Sequence, residues 1–141
     1  MKPKYWNKGI SYLSNKDKVL KKLISSYPKE YLSLNSNYFH SLINSIIGQQ
    51  ISVSAADSMK RKFFKLNRRI TPNSVLKIKT TELKQCGLSR QKILYIKNIA
   101  TFINNNKKFM KNIKHYSEEE ISNKLIEIKG VGPWTIHMFL M

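Results

Sequence analysis

Phe39, Leu42, Ile43, Ile46 and Ile47 stand at i, i+3, i+4, i+7 and i+8 of one short stretch, the spacing that gathers apolar side chains on one face of an α-helix. A half-buried strand alternates every second residue, so this stripe does not belong to a sheet. Asn37 ahead of it is a capping residue, and Gly48 behind it lets the chain break before Gln49 and Gln50. The same grammar recurs along the chain. Asn15 reads as the cap of a helix carrying Val19, Leu20, Leu23 and Ile24 that Pro28 closes. Val53 to Leu66 resumes helical with Ala56, Met59 and Phe63 on one side, and Thr71-Pro72 forms a cap and first-turn pair that Thr80 repeats. Gly87 supplies a helix stop, Ser89 starts a long helix with Ile93, Ile96, Ala100 and Ile103, and Asn104 to Lys108 reads as a loop. Ser117 with Glu120 makes a capping box ahead of Ile121, Leu125 and Ile128. These signals predict an all-α chain of seven or eight short helices, one compact domain over residues 1–141 without linker or repeat.

Composition bounds what such a domain does. With 141 residues the chain can bury about two thirds of its unfolded surface, enough for a core without staples. A single cysteine, Cys86, cannot form an internal bridge, and no short apolar leader follows Met1, so the expected setting is the reducing cytoplasm, at the nucleoid in a bacterium. No uncharged apolar run approaches the roughly 18 residues needed to cross a bilayer, and no membrane role is expected. His40, His115 and His137 are scattered without metal-site spacing, so neither metal nor cofactor is expected. The formal charge is +18, from 26 basic against 8 acidic residues, a potential that attracts phosphate-rich partners. Of those basic residues 22 are Lys and only 4 Arg, in a chain also rich in Asn and Ile. AT-rich coding therefore accounts for part of the charge, and local chemistry must decide.

That chemistry concentrates in LIEIKGVGPWTIHMFLM at the carboxyl end. A helix is expected to end at Lys129, Gly130-Val131-Gly132 to reverse the chain, and Pro133 to open the next helix at a position that needs no hydrogen-bonded N–H. Glycine allows positive φ and close approach, while the unpaired first-turn amides and the helix dipole favour an anion. The sequence reads as a helix-hairpin-helix over about residues 118–141 that grips backbone phosphate, with Lys129, Gly130, Val131, Gly132 and Thr135 as its binding set. Contacts of this kind carry no base-sequence information.

Three segments in order, IIGQQISVSAADSM at Ile46–Met59, GLSRQKILYIKNIA at Gly87–Ala100 and IKGVGPWTIHMFLM at Ile128–Met141, resemble the alkylation-repair glycosylases of the DNA-3-methyladenine glycosylase II group, within the helix-hairpin-helix DNA glycosylase superfamily. The similarity runs from about Trp6 onward. It implies base excision repair: a helical domain that flips an N-alkylated purine out of duplex DNA and hydrolyses its N-glycosidic bond. An electron-rich wall suits a cationic base, and the resemblance puts Trp134 and Met138 at the base pocket. Trp134 is alternatively an ordinary core tryptophan. Gln49 and Gln50 fall where the family places a probe in the gap left by the flipped base; for Gln49 the alternative is a plain helix break with its amide on the backbone.

The chain departs from the family in two places. Relatives that cut the strand carry a lysine two residues after the second hairpin glycine, where this chain has Trp134, so a monofunctional glycosylase without lyase chemistry is implied. The family's essential aspartate lies beyond the helix after the hairpin, and the sequence stops at Met141. Asp17 and Asp57 lie far upstream and Glu127 precedes the hairpin, so no catalytic carboxylate is expected among these residues. The expectation is a domain missing its C-terminal helices, completed by a second polypeptide or left as a fragment. Two alternatives stay open: a non-catalytic helix-hairpin-helix module that binds duplex DNA, and a basic helical protein bound to RNA.

Overall fold

The computed structural model describes residues 2–31 and 37–141 and contains, among them, helices and no strand. Contacts group the chain into an N-terminal unit, described over residues 2–31, and a larger unit, Asn37–Met141.

The N-terminal unit holds α1 (Trp6–Lys16) and α2 (Lys18–Ser26). The aromatic lead-in is itself helical, so Asn15 lies inside α1, and Asp17 caps the next helix instead. Its carboxylate accepts the N–H groups of Val19 at 2.7 Å and Leu20 at 2.9 Å, two of the donors that a helix start leaves unpaired. Neither helix buries a residue.

The larger unit begins with α3 (Tyr38–Gly48), and the five-residue stripe on it is buried throughout. Asn37 caps it through His40 N–H, as its sequence predicts. Removing each of those side chains from water is worth about 1.5–3 kcal/mol before conformational entropy is charged against it. After α3 come α4 (Val53–Lys65), α5 (Pro72–Lys77), α6 (Thr80–Gln85), α7 (Arg90–Asn105), α8 (Lys107–Lys111), a 3₁₀ turn at Ile113–His115, α9 (Glu118–Leu125) and α10 (Pro133–Leu140). Of these, α7 is the central strut. It buries Ile93, Ile96, Ile99 and Ala100 and packs on both α3 and α5. His40 is a packing residue, its Nε2 3.0 Å from the Ile70 carbonyl and its ring 4.8 Å from that of Phe64.

Several boundaries differ from the sequence reading for identifiable reasons. The expected loop at Asn104–Lys108 is a helix junction: α7 runs to Asn105 and α8 starts at Lys107. Asn106 marks the junction: its backbone N–H and its side-chain amide both donate to the Phe102 carbonyl, each at 2.9 Å, which closes α7. Thr80 is the first residue of α6 rather than its cap; Glu82 instead reaches back to the Lys79 N–H at 3.1 Å. The Ser117–Glu120 box is present, and Glu118, Glu119 and Glu120 fill the first turn of α9. That helix ends at Leu125, one turn before the expected Lys129, and Ile128 and Val131 are buried in the connection to α10.

Candidate nucleic-acid interface

The hairpin between α9 and α10 is built from its buried residues outward. Ile128 and Val131 anchor the loop in the core, and the Val131 N–H donates to the Ile128 carbonyl at 2.9 Å, closing a tight turn around Lys129 and Gly130. Gly130 takes φ +105°, a conformation in which a side chain is strained. A Cβ there would also run into the ring of Tyr95, which lies directly behind the glycine. Asn98, one helical turn along α7 from Tyr95, donates its side-chain amide to the Lys129 carbonyl at 3.2 Å. The corner is thus seated on α7 by a ring and a hydrogen bond.

Gly132 is different. Its backbone is extended (φ −106°, ψ 178°), nothing lies within 4 Å of where a Cβ would stand, and it serves as N-cap of α10 with Pro133 in the first turn. Only one of the two hairpin glycines therefore uses positive φ. Among the described residues, the N–H groups of Gly132, Trp134 and Thr135 have no protein acceptor, whereas that of Val131 is committed to its own turn and that of Ile136 to the Gly132 carbonyl. Unpaired amides at the positive end of a helix dipole make a place for an anion.

Facing this corner is the turn from α3 to α4. Gly48 ends α3, Gln49 is its C-cap, and Gln50 adopts φ +57°, the only non-glycine with positive φ among the described residues. Ser52 then caps α4 through the Ala55 N–H at 3.3 Å. Two long side chains hold the turn. Gln49 donates its amide to the hydroxyl of Thr135 at 3.3 Å, and the Lys92 ammonium donates to the Ile47 carbonyl at 2.7 Å. That carbonyl belongs to the last turn of α3, where the helix dipole favours a cation. Burial lowers the pKa of Lys92 from the ordinary lysine value.

The two turns and α7 enclose an open concavity of about 810 Å³, lined by Gly48, Gln49, Gln50, Ser89, Gln91, Lys92, Tyr95 and Gly130 to Thr135. It brings together Gln49, Gln50, Gly130, Val131, Gly132, Trp134 and Thr135 of the sequence-predicted set. Lys129 and Met138 do not line it; both are exposed. Trp134 is 58% exposed among the described residues and stands beside the unpaired amides. Thr135 is 1% exposed, so its hydroxyl serves Gln49 rather than solvent. None of the residues lining the concavity is a carboxylate.

Sequence reasoning missed the contribution of α7: Ser89, Gln91, Lys92 and Tyr95 line the concavity, and Gln91 donates to the Tyr95 hydroxyl. A signal was available. Gln91, Tyr95 and Asn98 recur at i, i+4 and i+7, a second stripe beside the buried Ile93, Ile96 and Ala100.

Known proteins share this chain's sequence pattern and fold. Residues 43–131 match the HhH-GPD superfamily of base excision DNA repair proteins. The chain is 29% identical to the DNA-3-methyladenine glycosylase of Saccharomyces cerevisiae, over 96% of this chain and 52% of that protein. It is 27% identical to DNA-3-methyladenine glycosylase 1 of Schizosaccharomyces pombe, over 94% of this chain and 60% of that one. The solved structure of the Schizosaccharomyces pombe 3-methyladenine DNA glycosylase in complex with abasic DNA superposes with a TM-score of 0.79 at 26% identity, covering 94% of this chain and 68% of that one. The 3-methyladenine DNA glycosylase of Archaeoglobus fulgidus superposes with a TM-score of 0.77 at 27% identity, covering 94% and 49%. The chain thus spans between about half and two thirds of the length of these relatives. Hairpin, turn and strut all fall within or beside the matched segment, and the chain belongs to the HhH-GPD superfamily of base excision DNA repair proteins.

Proposed function

We propose that this chain provides the DNA-gripping and base-probing part of a monofunctional alkylbase DNA glycosylase, which flips N-alkylated purines from duplex DNA for hydrolysis of the N-glycosidic bond. The observation that carries the reading is the set of unpaired amides at Gly132, Trp134 and Thr135, opening beside an exposed Trp134 and across from Gln50. A backbone phosphate accepts from those amides. Gln50, lifted out of the helix path by its left-handed backbone, enters the gap that the flipped base leaves. Trp134 offers its π face to a cationic purine. Likeness to a relative whose structure was solved in complex with abasic DNA supports this substrate class.

The residues that line the concavity include no carboxylate, and an oxocarbenium-like transition state needs one for stabilisation or for activation of water. This favours a second reading, a DNA-binding module whose grip is intact and whose chemistry is not its own. Both readings are tested together on methylated duplex DNA, with binding and released base measured in parallel. Salt-sensitive duplex binding, tighter when the duplex carries an abasic site and lost on Gly130→Ala, is expected under both. Base release by the chain separates them: its presence establishes the enzyme, its absence the module. Equal affinity for RNA and DNA, unmoved by hairpin substitution, would overturn both.

A further inference from the structure

Gln50 holds a left-handed backbone conformation that a residue with a Cβ seldom adopts, and such conformations persist only when their surroundings over-determine them. The surroundings are explicit here. Two residues before Gln50 the chain leaves α3 through Gly48, a glycine with no heavy atom within 4 Å of its Cβ position, so nothing packed against that position fixes the exit direction. Besides the C-cap bond from the Gln49 N–H to the Ile46 carbonyl at 3.3 Å, two side chains reach across to the exit. Lys92 on α7 grips the carbonyl of Ile47, the last buried residue of α3, and Gln49 is tied to the buried hydroxyl of Thr135. The lysine bond, at 2.7 Å and carrying charge, is the stronger of the two.

We infer that Lys92 is a positioning residue for the DNA probe: its ammonium, hooked on the Ile47 carbonyl, sets the exit of α3 so that Gln50 is presented in its left-handed conformation before any DNA arrives. The idea rests on the proposed function above. Pre-ordering of this kind raises discrimination, because the cost of arranging the turn is met on folding rather than on binding. A lysine that instead served as a phosphate contact would add to affinity for every duplex alike.

The test uses the full chain as wild type, Lys92→Met, Lys92→Arg, Gln50→Ala and the Lys92→Met/Gln50→Ala double variant. Affinity is measured by fluorescence anisotropy on a duplex with one abasic site and on the same duplex intact. Lys92→Met is expected to reduce the abasic preference about tenfold, equivalent to about 1.4 kcal/mol, by weakening binding to the abasic duplex far more than to the intact one. Lys92→Arg should recover most of the preference, and the double variant should be no worse than Gln50→Ala alone. Equal loss on both duplexes with a shallower salt slope, or additive losses in the double variant, would overturn the inference. A second measurement needs no DNA: the Gln50 and Ile51 amide resonances should shift, and their hydrogen exchange accelerate, in Lys92→Met while the core resonances of α7 stay in place. Unmoved Gln50 and Ile51 signals sink the positioning role whatever the DNA results. A wild type without any abasic preference sinks the functional reading instead, so the two failures are distinct.

Discussion

Gly87 and Gly130 look alike in sequence and in dihedral angle, and differ in what stands behind them. Gly87 directly follows the C-cap of α6 and Gly130 lies in the connection after α9, with φ of +92° and +105°. Behind Gly87 is the side chain of Met59, whose terminal methyl lies 3.3 Å from the Cβ position and can swing aside. Behind Gly130 is the ring of Tyr95, which has no such freedom because its hydroxyl is held by Gln91 and its ring packs on the core. The first glycine ends a helix; the second lets the hairpin backbone lie against an aromatic ring. Equal dihedral angles therefore do not mean equal roles, and the neighbour decides.

The largest expected effect tests that difference directly. Gly130→Ala combines left-handed strain with a collision against a held ring, and should destabilise the chain by about 2–4 kcal/mol while DNA affinity falls at least about tenfold, read by thermal melting and anisotropy. Gly87→Ala has the dihedral penalty alone, about 1–2 kcal/mol, and should leave DNA affinity unchanged. Gly132→Ala sharpens the contrast from the other side. Its φ is ordinary and its surroundings open, so melting should move by less than about 1 kcal/mol, yet the residue carries one of the unpaired amides and lines the concavity, so a methyl there should weaken duplex binding. If Gly132→Ala bound DNA as well as wild type, the corner would not be the phosphate site.

The smallest effect concerns the far end of the same motif. The Ser117 N–H and hydroxyl donate to the Glu120 carboxylate, at 2.7 and 2.9 Å, and hold its pKa below the ordinary glutamate value of 4.5. A depressed carboxyl stabilises the fold above its unfolded pKa and loses that contribution as pH falls through its folded one. Melting followed from neutral pH into acid should therefore show a loss in wild type that Glu120→Gln lacks. Identical acid profiles would remove the capping box from the account.

How much of this was legible beforehand depends on whether the signal is local. The α3 stripe, the Ser117–Glu120 box, the Thr71-Pro72 start and the glycine corner are written in adjacent residues, and local rules found them. Lys92, Tyr95 and Asn98 act on partners 31 to 45 positions away, and no spacing rule connects Asn98 to Lys129 or Lys92 to Ile47. Only the three-dimensional arrangement shows that α7 carries both turns. The Asn104–Lys108 error has the same origin: three asparagines and two lysines look like loop, but Phe102, Phe109 and Met110 on either side pack against the core and draw the segment into helix. Trp134 was ambiguous for the opposite reason, since a first-turn tryptophan is equally at home inside or outside until its exposure is known.

The three glutamates that open α9 have a bearing on orientation. They open a helix about 12 Å long at 1.5 Å per residue, whose far end leads through a connection to the corner of unpaired amides, so the carboxylates start the motif and the donors follow its turn. Screening in physiological salt acts over about 8 Å, too short a reach for the negative end to cancel the positive one. A polyanion drifting along this surface meets a reversal of sign within a single helix length. Under the proposed DNA grip, that reversal favours one way round for the hairpin before any close contact forms.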